Sequence, residues 1–131
     1  MKVLIAEDDL GSRKFLFKFL SAYGDCDITV DGAETLEAFL MAWEDGAPYD
    51  LICLDIMMPK LDGIKVMKAI REFELHKGIQ DDKKTRIIMT TALNNQETVL
   101  ESFEAGCQAY AAKPIDLEKM IEVMKKMALV D

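Results

Sequence analysis

Short apolar runs and helix-spaced apolar positions alternate along this chain from one end to the other. Val3-Leu4-Ile5-Ala6 is a continuous apolar run that stops at Glu7, Asp8 and Asp9. A run of that length, bounded by acids, predicts a strand covered on both faces. Phe15, Leu16, Phe19 and Leu20 follow at helical spacing, which places them on one side of a helix. The same change of period recurs down the chain. Cys26 to Val30 predicts a short strand, and Leu36, Phe39, Leu40 and Trp43 a helix. Asp50-Leu51-Ile52-Cys53-Leu54 predicts a strand ending at Asp55, and Ile64, Met67, Ile70 and Phe73 or Glu74 a helix. Arg86 to Thr91 predicts a strand, with a weaker helix around Val99, Leu100 and Phe103. Gln108 to Ala112 predicts a short strand, and Leu117, Met120, Ile121, Met124 and Ala128 give the last helix an apolar stripe.

Five strand-then-helix units predict an α/β fold, a doubly wound (βα)5 arrangement with a five-stranded parallel sheet and helices on both faces. In such sheets the working edge lies at the carboxyl ends of the strands. Glu7, Asp8, Asp55, Thr91 and Lys113 all fall at predicted strand ends. They are far apart in sequence, and the architecture gathers them at one edge. The long polar connection from His76 to Thr85 is expected to be a flexible loop.

Length and composition narrow the picture. The 131 residues suit a single domain over 1–131, large enough to bury a core without disulfides. Half the residues are apolar and 31% are charged, as in globular proteins. No apolar stretch approaches the roughly eighteen residues of a membrane span, so no membrane insertion is expected. The first residues turn acidic too early for a signal peptide. Cys26, Cys53 and Cys107 are odd in number and lack metal-ligand spacing. They read as reduced, buried thiols of a cytoplasmic protein. The net charge of −8 repels nucleic acid phosphates, and no basic run offsets it, so direct nucleic acid binding is not expected.

The acids at the sheet edge carry the chemistry. Taken singly, each has an ordinary reading: an acid after a strand is commonly a helix N-cap, which is how Asp9 is read here. Three carboxylates together repel one another and hold protons more tightly unless a cation neutralises them. Mg²⁺ suits such oxygen donors and keeps several waters. A carboxylate also serves as nucleophile in phosphoryl transfer. The charge on the transferring group's equatorial oxygens then needs a cation, an ammonium and a hydroxyl or amide donor. Asp8 with Asp55, Lys113 and Thr91 have the right chemistry for these roles.

Across nearly its whole length the chain resembles the receiver domains of response regulators in two-component signalling, similar to stand-alone chemotaxis receivers. The resemblance rests on Val3-Leu4-Ile5-Ala6-Glu7-Asp8-Asp9, on Asp55-Ile56-Met57-Met58-Pro59 with Asp62-Gly63, on Thr91-Ala92, and on Tyr110 with Lys113-Pro114. It implies a flavodoxin-like strand order 2-1-3-4-5. It implies that Asp55 is the phosphoacceptor and that Asp8, Asp55 and the Met57 carbonyl hold Mg²⁺, with Glu7 acting through water. Lys113 would contact the phosphoryl group, Thr91 would hydrogen-bond it, and Tyr110 would move inward as part of the switch. The Lys113–Pro114 peptide would be cis. A sensor histidine kinase or phosphotransfer protein would be the donor. With no output domain following, a separate protein would be the target. The chain would not be an enzyme beyond self-catalysed transfer to Asp55 and slow loss of the phosphoryl group.

Two features depart from that pattern. Met57, two residues after Asp55, and Leu93, two after Thr91, are apolar where relatives often carry polar side chains. The connection before the fourth strand is also longer than in compact relatives. A phosphohydrolase with an aspartyl-phosphate intermediate typically needs a second acid where Met57 stands. A binding module with an inert acceptor site is a further alternative.

Overall fold

The computed structural model describes residues 1–131. Five strands, β1 (Lys2–Ala6), β2 (Asp25–Thr29), β3 (Leu51–Leu54), β4 (Arg86–Thr91) and β5 (Ala109–Ala112), form one sheet. Five helices connect and follow them: α1 (Leu10–Leu20), α2 (Gly32–Glu44), α3 (Gly63–His76), α4 (Gln96–Ala105) and α5 (Leu117–Lys126). All pairings are parallel and the strand order is β2-β1-β3-β4-β5. The doubly wound α/β fold and its order are therefore as expected.

The period of two in the strands divides the core into two layers. Leu4 and Ala6 of β1, Ile52 and Leu54 of β3, and Ile87 and Met89 of β4 join Phe39, Met67 and Ile70 in the larger cluster, beneath α2 and α3. Val3, Ile5, Leu51, Cys53 and Ile88 point the other way, onto Leu16, Leu20, Met120 and Met124 of α1 and α5. Each fully buried Leu, Ile or Phe side chain contributes about 1.5–3 kcal/mol. The central strands are covered on both sides, which is why they read as continuous apolar runs.

Acids begin four of the five helices. The carboxylates of Asp9, Asp31, Asp62 and Asp116 accept backbone amides of Ser12, Glu34, Lys65 and Glu118 at 2.9, 2.8, 3.0 and 3.0 Å. Each satisfies an amide the helix leaves unpaired. Asp9 is thus a cap, as read from the sequence. The last helix stops sooner than its apolar stripe suggests, because Ala128 takes a φ of 58° and the chain turns out of the helix.

The connection before β4 is more tightly organised than its polar sequence suggests. It contains a 3-10 turn at Asp81–Lys83. The buried Glu74 carboxylate accepts the Thr85 amide at 2.9 Å and pairs with Arg71 at 2.5 Å. The Thr85 hydroxyl donates to the Tyr49 carbonyl at 2.9 Å. Both residues of the alternative pair Phe73 or Glu74 face inward, Phe73 on apolar neighbours and Glu74 on this polar network. Cys53 and Cys107 are buried and Cys26 is half-buried, all as free thiols. Burial pushes the Cys53 thiol up to about 12 and that of Cys107 to about 11. No helix is long and apolar enough to cross a membrane.

Candidate functional site

The sheet edge places Glu7 and Asp8 just after β1, Asp55 just after β3, Thr91 at the end of β4 and Lys113 just after β5. Carboxylate oxygens of Glu7, Asp8 and Asp55 lie within 4.8 Å of one another. Glu7 and Asp55 are buried, while Asp8 is exposed. The Lys113 ammonium reaches Asp55 Oδ2 at 3.2 Å and also donates to Glu7 Oε1. The Met57 amide donates to Asp55 Oδ1 at 3.3 Å, and the Asp9 amide to Glu7 Oε2 at 3.2 Å.

Backbone packing holds these groups in place. The β3–α3 loop is drawn against the sheet by the Gly63 amide, which donates to the Ile56 carbonyl at 2.9 Å. A Cβ on Gly63 would stand 2.1 Å from the Asp55 carbonyl oxygen, so only glycine allows that approach. On the other side Gly32 fits under the same loop, where a Cβ would stand 1.8 Å from the Leu61 carbonyl oxygen. Arg13 contributes as well. Its guanidinium donates to the carbonyls of Glu7 and Asp8, at 3.4 Å each. Reading the sequence missed Arg13, although its place in the second turn of α1, five residues after Asp8, is a usable signal.

Thr91 and Tyr110 stand beside the acids but are engaged elsewhere. The buried Thr91 hydroxyl accepts the Leu93 amide at 3.3 Å, which leaves its own proton free to donate. The half-buried Tyr110 ring packs on the larger core, and its hydroxyl donates to the Leu93 carbonyl. The Lys113–Pro114 peptide is cis.

Burial raises the Glu7 pKa, the Lys113 hydrogen bond opposes this, and Asp55 adds to it; the net result is a value of about 7. Burial also works against the charge on Lys113. The hydrogen bond to Glu7 and the field of Asp55 outweigh it and hold Lys113 above the ordinary lysine value. A consequence for stability follows. Glu7 binds its proton more tightly folded than unfolded, where its value is 4.5. Its stabilising contribution is therefore complete below about pH 4.5 and is lost as pH rises through about 7. Without divalent cations, Glu7→Gln is expected to flatten the fall in urea midpoint between about pH 5 and pH 8. An unchanged slope in the variant would assign that fall to another group.

With all groups ionised, three carboxylates against one ammonium leave two negative charges in excess. The donors are hard oxygens and one acid is open to solvent, which fits a divalent cation that keeps part of its water shell. A nucleophilic carboxylate with an ammonium against one oxygen fits acceptance of a phosphoryl group.

Residues 3–125 match the family model of the response regulator receiver domain. The chain belongs to that family. It is a receiver domain of two-component signalling. Over 122 residues it is 34% identical to the transcriptional regulatory protein YhcZ of Bacillus subtilis, covering 93% of this chain and 52% of that protein. The receiver thus spans about half the length of that relative. It is 32% identical to the chemotaxis protein CheY of Treponema pallidum, covering 92% of this chain and 78% of the relative. Among solved structures it resembles the CheX–CheY–BeF3–Mg²⁺ complex of Borrelia burgdorferi, with a TM-score of 0.81 and 28% identity over 100% of this receiver and 90% of that chain.

Proposed function

We propose that this receiver takes a phosphoryl group on Asp55 from the phosphohistidine of a sensor kinase or phosphotransfer protein, with Mg²⁺, and passes the signal to a separate protein through a change of surface. The observation that carries this reading is the Lys113 ammonium set on both Glu7 and Asp55 beside the open acid Asp8. An Asp55 carboxylate oxygen attacks phosphorus as the P–N bond to the donor imidazole breaks, and the imidazole leaves with the bonding pair. Lys113 moves to the incoming phosphoryl oxygens, and the Thr91 hydroxyl donates its free proton to one of them. Asp8, Asp55 and the Met57 carbonyl would hold Mg²⁺, and Glu7 would act through water. When bound, the cation supplies charge neutralisation on the phosphoryl oxygens.

The added charge of about −1.5 to −2 draws on Thr91. Thr91 and Tyr110 both bond to Leu93, so a shift of the β4–α4 loop reaches the tyrosine directly. The surface of α4, β5 and α5 follows as a change of population. In this reading the chain turns over no external substrate, works in the cytoplasm and binds no nucleic acid itself. The test is incubation with acetyl phosphate and Mg²⁺, followed by mass spectrometric mapping of the acyl phosphate. Mg²⁺-dependent labelling of Asp55 is expected. No labelling, with no Mg²⁺-dependent binding of beryllium fluoride, supports the inert binding module.

The same geometry sets an expectation for lifetime. Hydrolysis of phospho-Asp55 needs a water oriented in line with the P–O bond. Met57 is 61% exposed and free to move over the site, whereas Leu93 is half-buried against the larger core. Neither side chain orients a water. Making both positions polar, Met57→Asn with Leu93→Glu, is expected to speed loss of phosphate several-fold, roughly 1 kcal/mol of barrier. The measurement is a decay time course in Mg²⁺ after removal of the donor. Equal decay in parent and double variant would show that the pair does not control the water.

A further inference from the structure

Nine methionines stand in this chain, and the fold sorts them by exposure. Met67, Met89, Met120 and Met124 are buried in the two cores. Met1 and Met127 are half-buried. Only Met57 and Met41 are exposed, at 61% and 53%. Met57 and Met58 are neighbours in sequence and differ in burial. Met58 packs into the larger core, whereas Met57 borders an open hollow of about 560 Å³ that it shares with Asp8 and Leu93. The Met57 amide donates to Asp55 Oδ1 at 3.3 Å, which anchors the residue beside the acceptor. The three thiols are poor competitors for an oxidant. Burial pushes Cys53 up to about 12, Cys107 to about 11 and Cys26 above its ordinary value, and the thiolate is the reactive form. A thioether has no proton to lose, so exposure decides which methionine an oxidant reaches.

We propose that Met57 is an oxidation site for peroxide and that its sulfoxide shortens the life of the phosphoryl group on Asp55. A lone pair of the Met57 sulfur attacks one oxygen of hydrogen peroxide. The S–O bond forms as the O–O bond breaks. The proton of the transferred oxygen passes to the displaced hydroxide, which leaves as water. The sulfur is oxidised by two electrons and the peroxide is reduced by the same two. An apolar, mobile side chain becomes a polar one whose oxygen accepts hydrogen bonds. The inference rests on the phosphoacceptor reading and adds a regulation to it. With the thioether in place, neither Met57 nor Leu93 orients a water against phospho-Asp55. The sulfoxide supplies an acceptor on a side chain that is free to swing over the hollow, and a water held there is positioned for attack. Leu93, half-buried on the larger core, has no such chemistry. Enzymatic reduction of the sulfoxide restores the thioether, so the change is reversible.

The test uses the full chain, treated with hydrogen peroxide, cleared with catalase and then phosphorylated with acetyl phosphate and Mg²⁺. Peptide mass spectrometry maps the oxidised methionines, and a decay time course after removal of the donor reads the lifetime. Met57 and Met41 are expected to gain an oxygen while Met58 stays a thioether, and loss of phosphate is expected to speed several-fold. Met41→Leu is expected to keep that response and Met57→Leu to lose it, each compared with its own untreated sample. Met57→Gln carries a neutral acceptor of similar length and is expected to decay faster than the parent without peroxide. Methionine sulfoxide reductase is expected to return the treated protein to the parent's decay. Met57 left unoxidised while Met41 reacts, an unchanged or slower decay once Met57 is oxidised, or an equal response in Met57→Leu would each overturn the proposal. Labelling of Asp55 separates the two readings. Asp55 that is labelled and decays alike with and without oxidised Met57 sinks the oxidation site's role alone. An unlabelled Asp55 in the untreated parent sinks the phosphoacceptor reading and this inference with it.

Discussion

Replacing Asp55 with Asn is expected to abolish phosphoryl labelling while the fold survives. The amide keeps the shape of the side chain and can still accept the Met57 amide, now seen on Asp55 Oδ1. It removes the nucleophile, because a neutral amide oxygen does not attack phosphorus at a useful rate. It also removes one of the two carboxylates on Lys113, which keeps its contact with Glu7. Loss of a buried negative charge beside Glu7 relieves repulsion. The thermal midpoint of the variant without Mg²⁺ is therefore expected to match or exceed that of the parent. The measurement pairs mass spectrometry after acetyl phosphate with a melting curve. Labelling of the folded variant at the parent's level would remove Asp55 from the role of acceptor. A variant that fails to fold would show that the Lys113–Asp55 contact is structural, and beryllium fluoride binding to the parent would then decide the acceptor.

Asp8→Ala is expected to have the second-largest effect. Asp8 is the exposed member of the acid group and makes no side-chain hydrogen bond or ion pair within the chain. Its removal costs no packing and takes away one hard oxygen donor. Mg²⁺ affinity should fall at least about tenfold. Phosphorylation by acetyl phosphate should slow by roughly 10²-fold. Stability without metal should hold or rise, since one like charge leaves the cluster. Titration of Mg²⁺ by intrinsic fluorescence or calorimetry, with melting curves in chelator, checks all three. If affinity stays at the parent's value while the metal-free melting point drops sharply, Asp8 is a structural residue and the cation sits elsewhere.

Much of this protein is written directly in its sequence. The change between runs such as Ile52-Cys53-Leu54 and stripes such as Ile64, Met67 and Ile70 fixes strand and helix, because burial on two faces or on one stripe demands those periods. Strand ends occupied by Glu7, Asp8, Asp55, Thr91 and Lys113 fix the site, because a parallel sheet delivers all its carboxyl ends to one edge. What the sequence could not show is which polar group answers which. Asp8, Asp9, Asp62 and Asp116 look alike in one dimension, yet three of them cap helices and Asp8 stays open at the site. Glu74, on an otherwise apolar stripe, is held inside by Arg71 and Thr85, which lie three residues before and eleven after it. Lys113 chooses Glu7 across 106 residues. Periodicity reports only the average surroundings of a side chain. The partner of a buried charge depends on atoms brought together from distant strands, and that pairing exists only after the sheet has closed around them.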